Sequence, residues 1–434
     1  YDLNLYLDGS FKKVVLVSLG DGSSTNREVF LAFAKVLKRC KDASAAVTEI
    51  FLDNAAEITH DPEMAKKIME LPHLVSYQFN HYRSVPVVNG MEEAAVVTSA
   101  AGMERLAREA AHVAESTLLA RDLVNHPSMF MDPEQLAKEC EALAEDLGIE
   151  VQIYDKKQAE EMNMGAFLAV GRGSAAEPRL IVLRYKGGKE EEPPVALVGK
   201  GIMFDSGGYS LKSRMETMHG DMGGAAAVIG AIRAIALEKL PVNVIAVVAA
   251  CKNMISGDAY VPGDILFSMN GKKIEMLNSD AEGRLTLADA LTYAIRKENA
   301  GSIIDIATLT GAAQGAVGVR SSAVFSNDEE LYAEVEEASE RACEKIWRLP
   351  LDKELFPVIE SEVADIQNSA QGSTMGGGAI VAGLFLQEFV EDHSWVHVDI
   401  APVSWESKDI DYSIKGATGY GVSLLYETVK VISR

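Results

Sequence analysis

Short apolar runs alternate with amphipathic helical patterns along the whole chain. In the first part, Val14–Leu19 and Ala94–Ser99 have the composition of strands, and Asn26–Arg39 has the spacing of an amphipathic helix. Met103–Leu123 is rich in Ala and Glu at helical spacing, which predicts a long helix. The pattern indicates an α/β region, and it contains neither a Walker loop nor a GxGxxG sequence.

The later part of the chain alternates strands and helices steadily. Asp132 followed by Pro133 is typical of a helix N-terminus, and this helix is predicted to end near Leu147. Several of the apolar runs that follow have no polar position, as expected for strands covered by helices on both faces of a sheet. The predicted strands are Glu150–Tyr154, Arg179–Tyr185, Val195–Val198, Val242–Ala250, Ser302–Ile306 and Trp395–Ile400, and the main helices between them are Gly223–Glu238 and Thr286–Lys297.

A chain of 434 residues is too long for one ordinary domain. We predict a smaller N-terminal α/β domain, residues 1–125, that ends in a connecting helix. The larger C-terminal α/β domain, residues 126–434, is expected to contain a central sheet, mostly parallel or mixed, flanked by helices.

The composition limits which binding partners and which cellular compartment we expect. Hydrophobic residues make up 48% of the chain and charged residues 24%, a balance typical of globular proteins. The net charge of −23 repels nucleic acids and anionic membranes, and no apolar run is long enough to span a bilayer. The scattered cysteines have no metal-site spacing and predict free thiols in the cytoplasm. They are Cys40, Cys140, Cys251 and Cys343.

The first segment with candidate chemistry is Val198–Lys212, which is followed closely by His219–Gly224. Lys200 and Asp205 come after an apolar strand, where open α/β sheets place their ligand sites. The glycines at 199, 201, 207 and 208 would allow tight turns and a close approach to a ligand. Asp221 directly precedes an Ala-rich helix, so it could equally be the N-cap of that helix.

The second segment is Asn278–Arg284. Asp280 and Glu282 are two residues apart, so in an extended stretch their side chains would share one face and repel unless a cation lies between them. The alternative is that they are acidic residues placed favourably near a helix N-terminus. With Asp205 and Asp221 they could form one cluster for two divalent cations about 3.5–4 Å apart. Only one of the eight histidines, His219, lies in these segments, so the ligands would be mostly oxygen.

These residues belong to longer motifs that occur together. The two segments contain Gly-Lys-Gly-Ile-Met-Phe-Asp-Ser-Gly-Gly, Asp-Met-Gly-Gly-Ala-Ala and Asn-Ser-Asp-Ala-Glu-Gly-Arg-Leu. Later come Ala-Thr-Leu-Thr-Gly-Ala from Ala307, Ala-Asp-Ile-Gln-Asn from Ala364, His-Val-Asp-Ile-Ala from His397 and Gly-Ala-Thr-Gly-Tyr-Gly from Gly416. The set resembles the leucyl aminopeptidase (cytosol aminopeptidase) family over roughly Ala120 to Arg434, with Ser279 replacing a threonine.

The resemblance implies that the C-terminal domain is catalytic and removes N-terminal residues from peptides with a free N-terminus. It implies two divalent cations per subunit, Zn²⁺ and/or Mn²⁺, with Mg²⁺ or Co²⁺ as alternatives. One cation would be held by Lys200, Asp205, Asp221 and Glu282, and the other by Asp205, Asp280, Glu282 and a backbone carbonyl of the Asp280 segment. Lys200 would have to be neutral to act as a ligand, which two adjacent cations favour. Without the resemblance, Lys200 would be interpreted as an ion-pair partner of a carboxylate.

Two further residues receive catalytic roles from the resemblance. A charged Lys212 would polarise the scissile carbonyl and stabilise the developing oxyanion. The guanidinium of Arg284 stays protonated and cannot act as a base. Similar enzymes bind bicarbonate at this arginine, and that anion would accept the proton of the attacking water.

The resemblance also implies a pocket for the first side chain of the substrate, and a homohexamer. The pocket residues would be Met218, Thr308, Leu309, Gly311 and Ala401, and such an apolar pocket favours Leu- or Met-like residues. Each of these residues, taken alone, is more typical of a core. The Lys212–Asp221 segment is about two residues shorter than the family pattern, and His219 stands where a Lys or Arg is expected. We interpret His219 as a surface or supporting residue rather than a ligand.

Two other functions are compatible with parts of the pattern. A non-catalytic or DNA-binding regulatory member of the same family would keep the motifs, but the charge of −23 opposes binding to DNA. A dinuclear phosphoesterase would use more histidine and a phosphate-binding loop. We therefore expect a hydrolase.

Overall fold

The computed structural model describes residues 2–7, 10–15, 17, 24–52, 61–88, 90–369 and 375–434. The α-helices of these residues are α1 (Asn26–Asp42), α2 (Pro62–Ser76), α3 (Met103–Asn125), α4 (Pro133–Leu147), α5 (Lys156–Glu161), α6 (Gly165–Gly171), α7 (Gly223–Glu238), α8 (Gly283–Arg296), α9 (Gly311–Val317), α10 (Glu329–Ala342), α11 (Gly378–Gln387) and α12 (Val422–Ile432). Short 3₁₀ helices occur at Met218–Gly220 and Lys353–Ile359.

The strands of the same residues are β1 (Asp2–Leu7), β2 (Ser10–Val15), β3 (Val47–Phe51), β4 (Glu93–Val97), β5 (Glu150–Tyr154), β6 (Arg179–Lys186), β7 (Val195–Asp205), β8 (Asn243–Asn253), β9 (Asp264–Phe267), β10 (Lys273–Met276), β11 (Ser302–Ala307), β12 (Ser322–Ser326), β13 (Ile346–Arg348), β14 (Ile366–Gln367), β15 (Ser394–Asp399), β16 (Trp405–Glu406) and β17 (Gly416–Ala417).

The N-terminal region pairs β3 with β4 in parallel and β1 with β2 in antiparallel. Helix α1 begins with a capping box between Thr25 and Glu28 and buries an apolar stripe that includes Phe30 and Leu37. Of the predicted strand Val14–Leu19, β2 contains only the first two residues. Residues 16, 18 and 19 of that prediction lie outside the described residues.

The central sheet has eight strands in the order β13-β12-β15-β11-β7-β8-β6-β5. Its four middle strands, β15, β11, β7 and β8, run parallel. The other strands add antiparallel pairs at β12–β15, β6–β8 and β5–β6. The sheet is therefore mixed with a parallel centre, and the predicted α/β class with a mostly parallel or mixed sheet is confirmed.

Helices cover both faces of this sheet. One apolar core contains side chains of α3, α4, α7, α10 and α12, and a second core on the other face contains side chains of α6, α8 and α11. Helix α7 is buried over nearly its whole surface, which explains why its sequence is apolar all round. The carboxyl ends of the parallel strands, between these two layers, are where loops are free to form a site.

Strand β7 is longer than the sequence predicted, and this changes the role of its glycines. Lys200 lies within the strand and Asp205 is its last residue, so the prediction that both follow the strand is wrong. A Cβ at Gly199 would lie 2.6 Å from the carbonyl oxygen of Gly224. Gly199 therefore allows the close packing of β7 against α7 and does not form a turn.

Membrane insertion was not expected from the composition. Among the described residues, no helix combines the length and apolar character that crossing a bilayer would require.

Candidate active site

Lys200 links several polar side chains at the carboxyl end of the sheet. Its Nζ lies 2.8 Å from Asp221 Oδ2 and 2.9 Å from Glu282 Oε1. It also donates to the carbonyl oxygen of Thr308 at 2.9 Å. The hydroxyl of Thr308 donates to Asp221 Oδ1 at 2.7 Å. Strand β7, the turn before α7, the start of α8 and the loop after β11 therefore meet at this lysine.

Lys212 forms a second charged link in the same cluster. Its Nζ lies 2.7 Å from Asp205 Oδ2 and contacts Asp280 Oδ1. The Lys212 side chain is 22% exposed, whereas that of Asp205 is 2% exposed. Lys212 is thus the lysine of the cluster that solvent reaches, and Lys200 is the buried one.

The position of Asp205 depends on a residue that the sequence analysis missed. Asn253 Nδ2 donates to Asp205 Oδ1 at 2.8 Å, and the backbone N–H of Gly207 donates to the same oxygen at 2.9 Å. Asp205 and Asn253 are opposite each other in the parallel pair β7–β8. The only available signal was that Asn253 ends an apolar strand. The predicted turn here does form, because Gly207 and Gly208 have φ of 82° and 60°.

Asp221 does not cap helix α7. The N-cap position is Met222, with no side-chain capping bond, while Asp221 points its carboxylate to Lys200 and Thr308. The alternative of a purely structural N-cap is therefore wrong for this residue.

The segment Asn278–Arg284 is a turn that leads into α8. The prediction that Asp280 and Glu282 share one face of an extended stretch is wrong, because residues 279–280 form a turn and Glu282 has φ −80° and ψ −36°. Their carboxylates still converge, since the turn is held by Asn368. The side chain of Asn368 accepts two N–H groups and donates to two carbonyl oxygens within residues 277–281. The sequence analysis quoted Asn368 in a motif but gave it no role.

The electrostatics of the cluster favour an additional positive charge. Four carboxylates face two lysines, which leaves two negative charges unbalanced when all six groups are ionised. Burial, followed by the carboxylate of Asp205, raises the pKa of Glu282 to about 8. Burial also raises the pKa of Asp221 to about 6, although Lys200 opposes that rise. Burial favours the neutral amine of Lys200, but the carboxylates outweigh it and raise the pKa of Lys200 above its usual value.

The donor set fits divalent cations. Asp205, Asp280 and Glu282 each offer a carboxylate oxygen, and these atoms lie within 4.8 Å of one another. Among the described residues, the buried Glu282 Oε2 has no hydrogen-bond partner. Hard carboxylate oxygens that converge with an unsatisfied buried acceptor suit a hard or borderline divalent metal.

Arg284 lies beside this cluster with an unused donor. Its Nη1 donates to the carbonyl oxygen of Asn368 at 2.9 Å, and its guanidinium lies over the ring of Phe385 at 5.9 Å. Within the described part of the chain, the buried Nε of Arg284 has no acceptor. Burial lowers the pKa of Arg284 to about 10, so that the guanidinium remains charged at neutral pH. A buried, charged and incompletely bonded guanidinium suits a small anion.

Four of the five predicted pocket residues lie shortly after the ends of two neighbouring strands. Thr308, Leu309 and Gly311 follow β11, and Ala401 follows β15. The two strands are parallel neighbours that end at the same level of the sheet. The loops therefore leave the sheet side by side, at the edge that carries the carboxylates.

Met218 and His219 lie in the 3₁₀ turn before Asp221. The His219 ring packs edge-on against Trp405, with 5.2 Å between ring centroids, and burial lowers the pKa of His219. His219 does not belong to the group of potential ligand residues formed by Asp205, Asp280 and Glu282.

A separate cavity of about 50 Å³ lies near α1, α2 and α3, where Arg27, Lys67, Arg121 and Glu344 contribute to its lining. None of the predicted site residues lines it. Its volume suits a few water molecules.

Two family models match the chain, one in its N-terminal part and one in its larger C-terminal part. The model of the catalytic domain of the cytosol aminopeptidase family matches residues 118–426, and the model of the N-terminal domain of that family matches residues 1–86. A relative from Clostridium perfringens, named as a cytosol aminopeptidase, is 45% identical over 98% of this chain and 88% of its own length. A relative of the same name from Clostridium tetani is 51% identical over 74% of this chain and 67% of its own length.

Solved structures agree with these sequence relatives. The bottromycin maturation enzyme BotP in complex with Mn is 34% identical, with a TM-score of 0.90 over 100% of this chain and 94% of that one. A mutant of tomato leucine aminopeptidase is 36% identical, with a TM-score of 0.89 over 99% of this chain and 83% of that one. The chain therefore belongs to the cytosol aminopeptidase family, and its activity is that of a metal-dependent aminopeptidase.

Proposed function

We propose that this enzyme uses two divalent cations to remove Leu- or Met-like residues from the free N-terminus of peptides. The observation that carries the proposal is the convergence of four carboxylates and Lys200 around Glu282 Oε2, which has no hydrogen-bond partner among the described residues. Mn²⁺ or Zn²⁺ is the expected metal, with Mg²⁺ or Co²⁺ as alternatives. The Mn complex of the BotP relative supports a manganese-compatible site.

The carboxylates divide naturally between two cations. Lys200, Asp205, Asp221 and Glu282 would hold one, and Asp205, Asp280, Glu282 and a backbone carbonyl of the Asp280 segment would hold the other. When bound, two such cations supply Lewis acidity and lower the pKa of water. Lys200 would ligate as a neutral amine, because the charge of a bound cation would replace that of its ammonium beside Asp221 and Glu282.

Lys212 and Arg284 would provide the two other positive charges that the reaction needs. The partly exposed ammonium of Lys212 would turn from Asp205 and Asp280 to the substrate carbonyl and stabilise its developing negative charge. Arg284 would hold a bicarbonate ion through its unused Nε donor. The role of that ion would be to accept a proton, which the guanidinium cannot do.

Substrate selection would lie with Met218, Thr308, Leu309, Gly311 and Ala401. Among the described residues, apart from its neighbours in the chain and its own helix backbone, no atom lies within 4 Å of a Cβ at Gly311, which supports space for a substrate side chain beside it. An apolar pocket with this opening favours unbranched or γ-branched side chains such as Met and Leu.

We further propose a cytoplasmic homohexamer that acts on peptides and binds neither nucleic acid nor membranes. The charge of −23 supports the exclusion of nucleic acid and with it of the DNA-binding alternative. Light scattering should give six times the mass of one chain, and the mass of a monomer would contradict the hexamer.

The test is an activity assay with metal-free and metal-loaded protein. Leu-p-nitroanilide should be cut only after Mn²⁺ or Zn²⁺ is added, whereas Leu-p-nitrophenyl phosphate should stay intact and duplex DNA unbound. Asp280→Ala should lose most of this activity, and Asp146→Ala, on the exposed face of α4, serves as the matched control. An uncut anilide with loaded protein, or an Asp280→Ala variant as active as the parent, would contradict the proposal.

A further inference from the structure

Asp399 joins the two loops that carry the proposed pocket. Its Oδ1 accepts the backbone N–H groups of Leu309 at 3.2 Å, Thr310 at 3.4 Å and Ala401 at 3.1 Å. Its Oδ2 accepts the hydroxyl of Thr310 at 2.7 Å. Asp399 is itself only 1% exposed, so these contacts are shielded from water.

The loop after β11 is held at its other end by the metal-site residues. Thr308 accepts from Lys200 through its carbonyl oxygen and donates to Asp221 through its hydroxyl. The segment from Thr308 to Thr310 is therefore fixed between the metal site on one side and Asp399 on the other. A shift at the Asp399 end would move Leu309 without moving the carboxylates.

We propose that Asp399 is a positioning residue that sets the shape of the side-chain pocket and thereby the preference for large apolar N-terminal residues over glycine. It acts through Leu309 and Ala401 and does not itself touch the substrate. This inference rests on the proposed function, because it takes Leu309 and Ala401 as pocket residues.

The hydrogen bonds favour a carboxylate over an amide at residue 399. All groups that face Asp399 are donors, and a carboxylate offers acceptors at both oxygens. The hydroxyl of Thr310 already accepts the N–H of Ala313 at 3.1 Å while it donates to Asp399. In Asp399→Asn, the amide N–H₂ would replace the oxygen that accepts the Thr310 hydroxyl. That hydroxyl could accept an N–H of the amide, but its own buried proton would lose its acceptor, and such an unmet donor is costly and favours a shift of the loop.

The experiment compares the Mn²⁺-loaded enzyme and Asp399→Asn on Leu-, Met- and Gly-p-nitroanilide. The ratio of kcat/KM for Leu over Gly should fall by at least about tenfold, the order of selectivity that one methylene contributes in an apolar pocket. The loss should appear mainly as a higher KM for Leu and Met. The Gly substrate fills no pocket, so its kcat/KM should stay within about threefold.

Three further variants separate positioning from general damage. Thr310→Val removes the hydroxyl and should lower the Leu-to-Gly ratio in the same direction, whereas Thr310→Ser keeps the hydroxyl and should retain the parental ratio. Asp289→Asn is the matched control for a buried carboxylate, since Asp289 accepts backbone N–H groups of Phe167 and Met269. Its ratio should not change.

The outcomes distinguish this inference from the function on which it rests. An equal loss on Leu and Gly in Asp399→Asn, or an unchanged ratio in both Asp399→Asn and Thr310→Val, would overturn the inference alone. If Asp399→Asn does not fold, the Thr310 pair decides the result. A parent enzyme that cuts none of the anilides with Mn²⁺ or Zn²⁺ would overturn the proposed function, and this inference with it.

Discussion

Gly283 packs directly against the side chain of Lys200. A Cβ added at Gly283 would lie 2.6 Å from Lys200 Cε and 2.7 Å from Lys200 Nζ. Gly283 is the first residue of α8, immediately after Glu282, so the start of the helix and the lysine must approach closely for Lys200 Nζ to reach Glu282 Oε1. The geometry of the site thus requires that residue 283 has no side chain.

Gly283→Ala should therefore displace Lys200 while the chain still folds, because the clash is with the flexible end of a side chain. A displacement of about 1 Å at a catalytic group costs on the order of 100-fold in rate, so we expect a loss of this size in kcat/KM for Leu-p-nitroanilide. Gly315→Ala in α9 is the matched control, because a Cβ there would meet no atom of the described residues outside its own helix within 4 Å. Parental activity in Gly283→Ala would show that the position of Lys200 does not matter.

A substitution at Gly311 tests the proposed pocket by filling it. A Cβ at Gly311 meets no atom within 4 Å in the described part of the chain beyond its own helix, so Gly311→Leu should be accommodated and should occupy space otherwise available to a substrate side chain. We expect kcat/KM for the Leu substrate to fall about tenfold or more relative to the Gly substrate. Gly315→Leu, in the same helix, should leave the ratio unchanged. If both variants give the parental ratio, Gly311 does not line the pocket.

Glu344 should make stability depend on pH. Its carboxylate accepts the N–H groups of Gly421 and Leu424 at the start of α12. Burial raises its pKa from 4.5 to about 7. The folded chain thus keeps a proton that the unfolded chain releases above about pH 4.5. Glu344 therefore contributes its full stabilisation below about pH 4.5. As the pH rises through 7, this contribution is lost and the free energy of unfolding falls by about 3 kcal/mol in total.

The measurement is urea unfolding of the parent and Glu344→Gln between pH 5 and pH 8, a range that includes the pKa of about 7 of Glu344. The parent should lose stability relative to the variant as the pH rises. Glu145→Gln, at an exposed position of α4, controls for the loss of one acidic group. A constant difference between parent and Glu344→Gln across this range would refute the assignment.

Lys66 should be a major determinant of stability where α2 packs near α3 and α12. Its buried Nζ contacts Glu427 Oε1 and lies 3.1 Å from Glu63 Oε2 and 3.5 Å from Glu109 Oε1. Lys66→Met would leave buried carboxylates without this counter-charge. Removal of one partner from a buried ionic network costs about 3–5 kcal/mol, and the midpoint of thermal or urea unfolding should fall accordingly.

The comparison for Lys66 is an exposed ion pair. Lys138 lies 2.7 Å from Glu134 on the surface of α4, and Lys138→Met should change the free energy of unfolding by less than about 1 kcal/mol. Equal effects of the two substitutions would mean that the buried network contributes no more to the free energy of unfolding than an exposed ion pair does.

The local elements show how far sequence reasoning reaches. The helix predicted from Asp132-Pro133 to Leu147 is observed as Pro133–Leu147, because its cap, its first proline and the following glycine act within a few residues. The helix Gly223–Glu238 is likewise observed at the predicted bounds. By contrast, α8 begins at Gly283, earlier than predicted, since the turn before it is set by the distant Asn368.

For the site as well, the sequence predicted some features and missed others. The sequence determined the family, which is confirmed, whereas the ligand roles stay a prediction for Lys200, Asp205, Asp221, Asp280 and Glu282. It misjudged the glycine at 199, since close packing against α7 is a contact between distant parts of the chain. It assigned nothing to Asn253 and gave Asp399 no role.

Only the tertiary structure decided how these residues meet. The order β15-β11-β7-β8 brings four strand ends together, and that order depends on long-range pairing that no local pattern encodes. The bond from Asn253 to Asp205 and the bonds from the loop after β11 to Asp399 follow from this order. The sequence by itself determined the family and predicted which residues would bind metal, whereas the packing of the sheet decided which supporting side chains hold those residues in place.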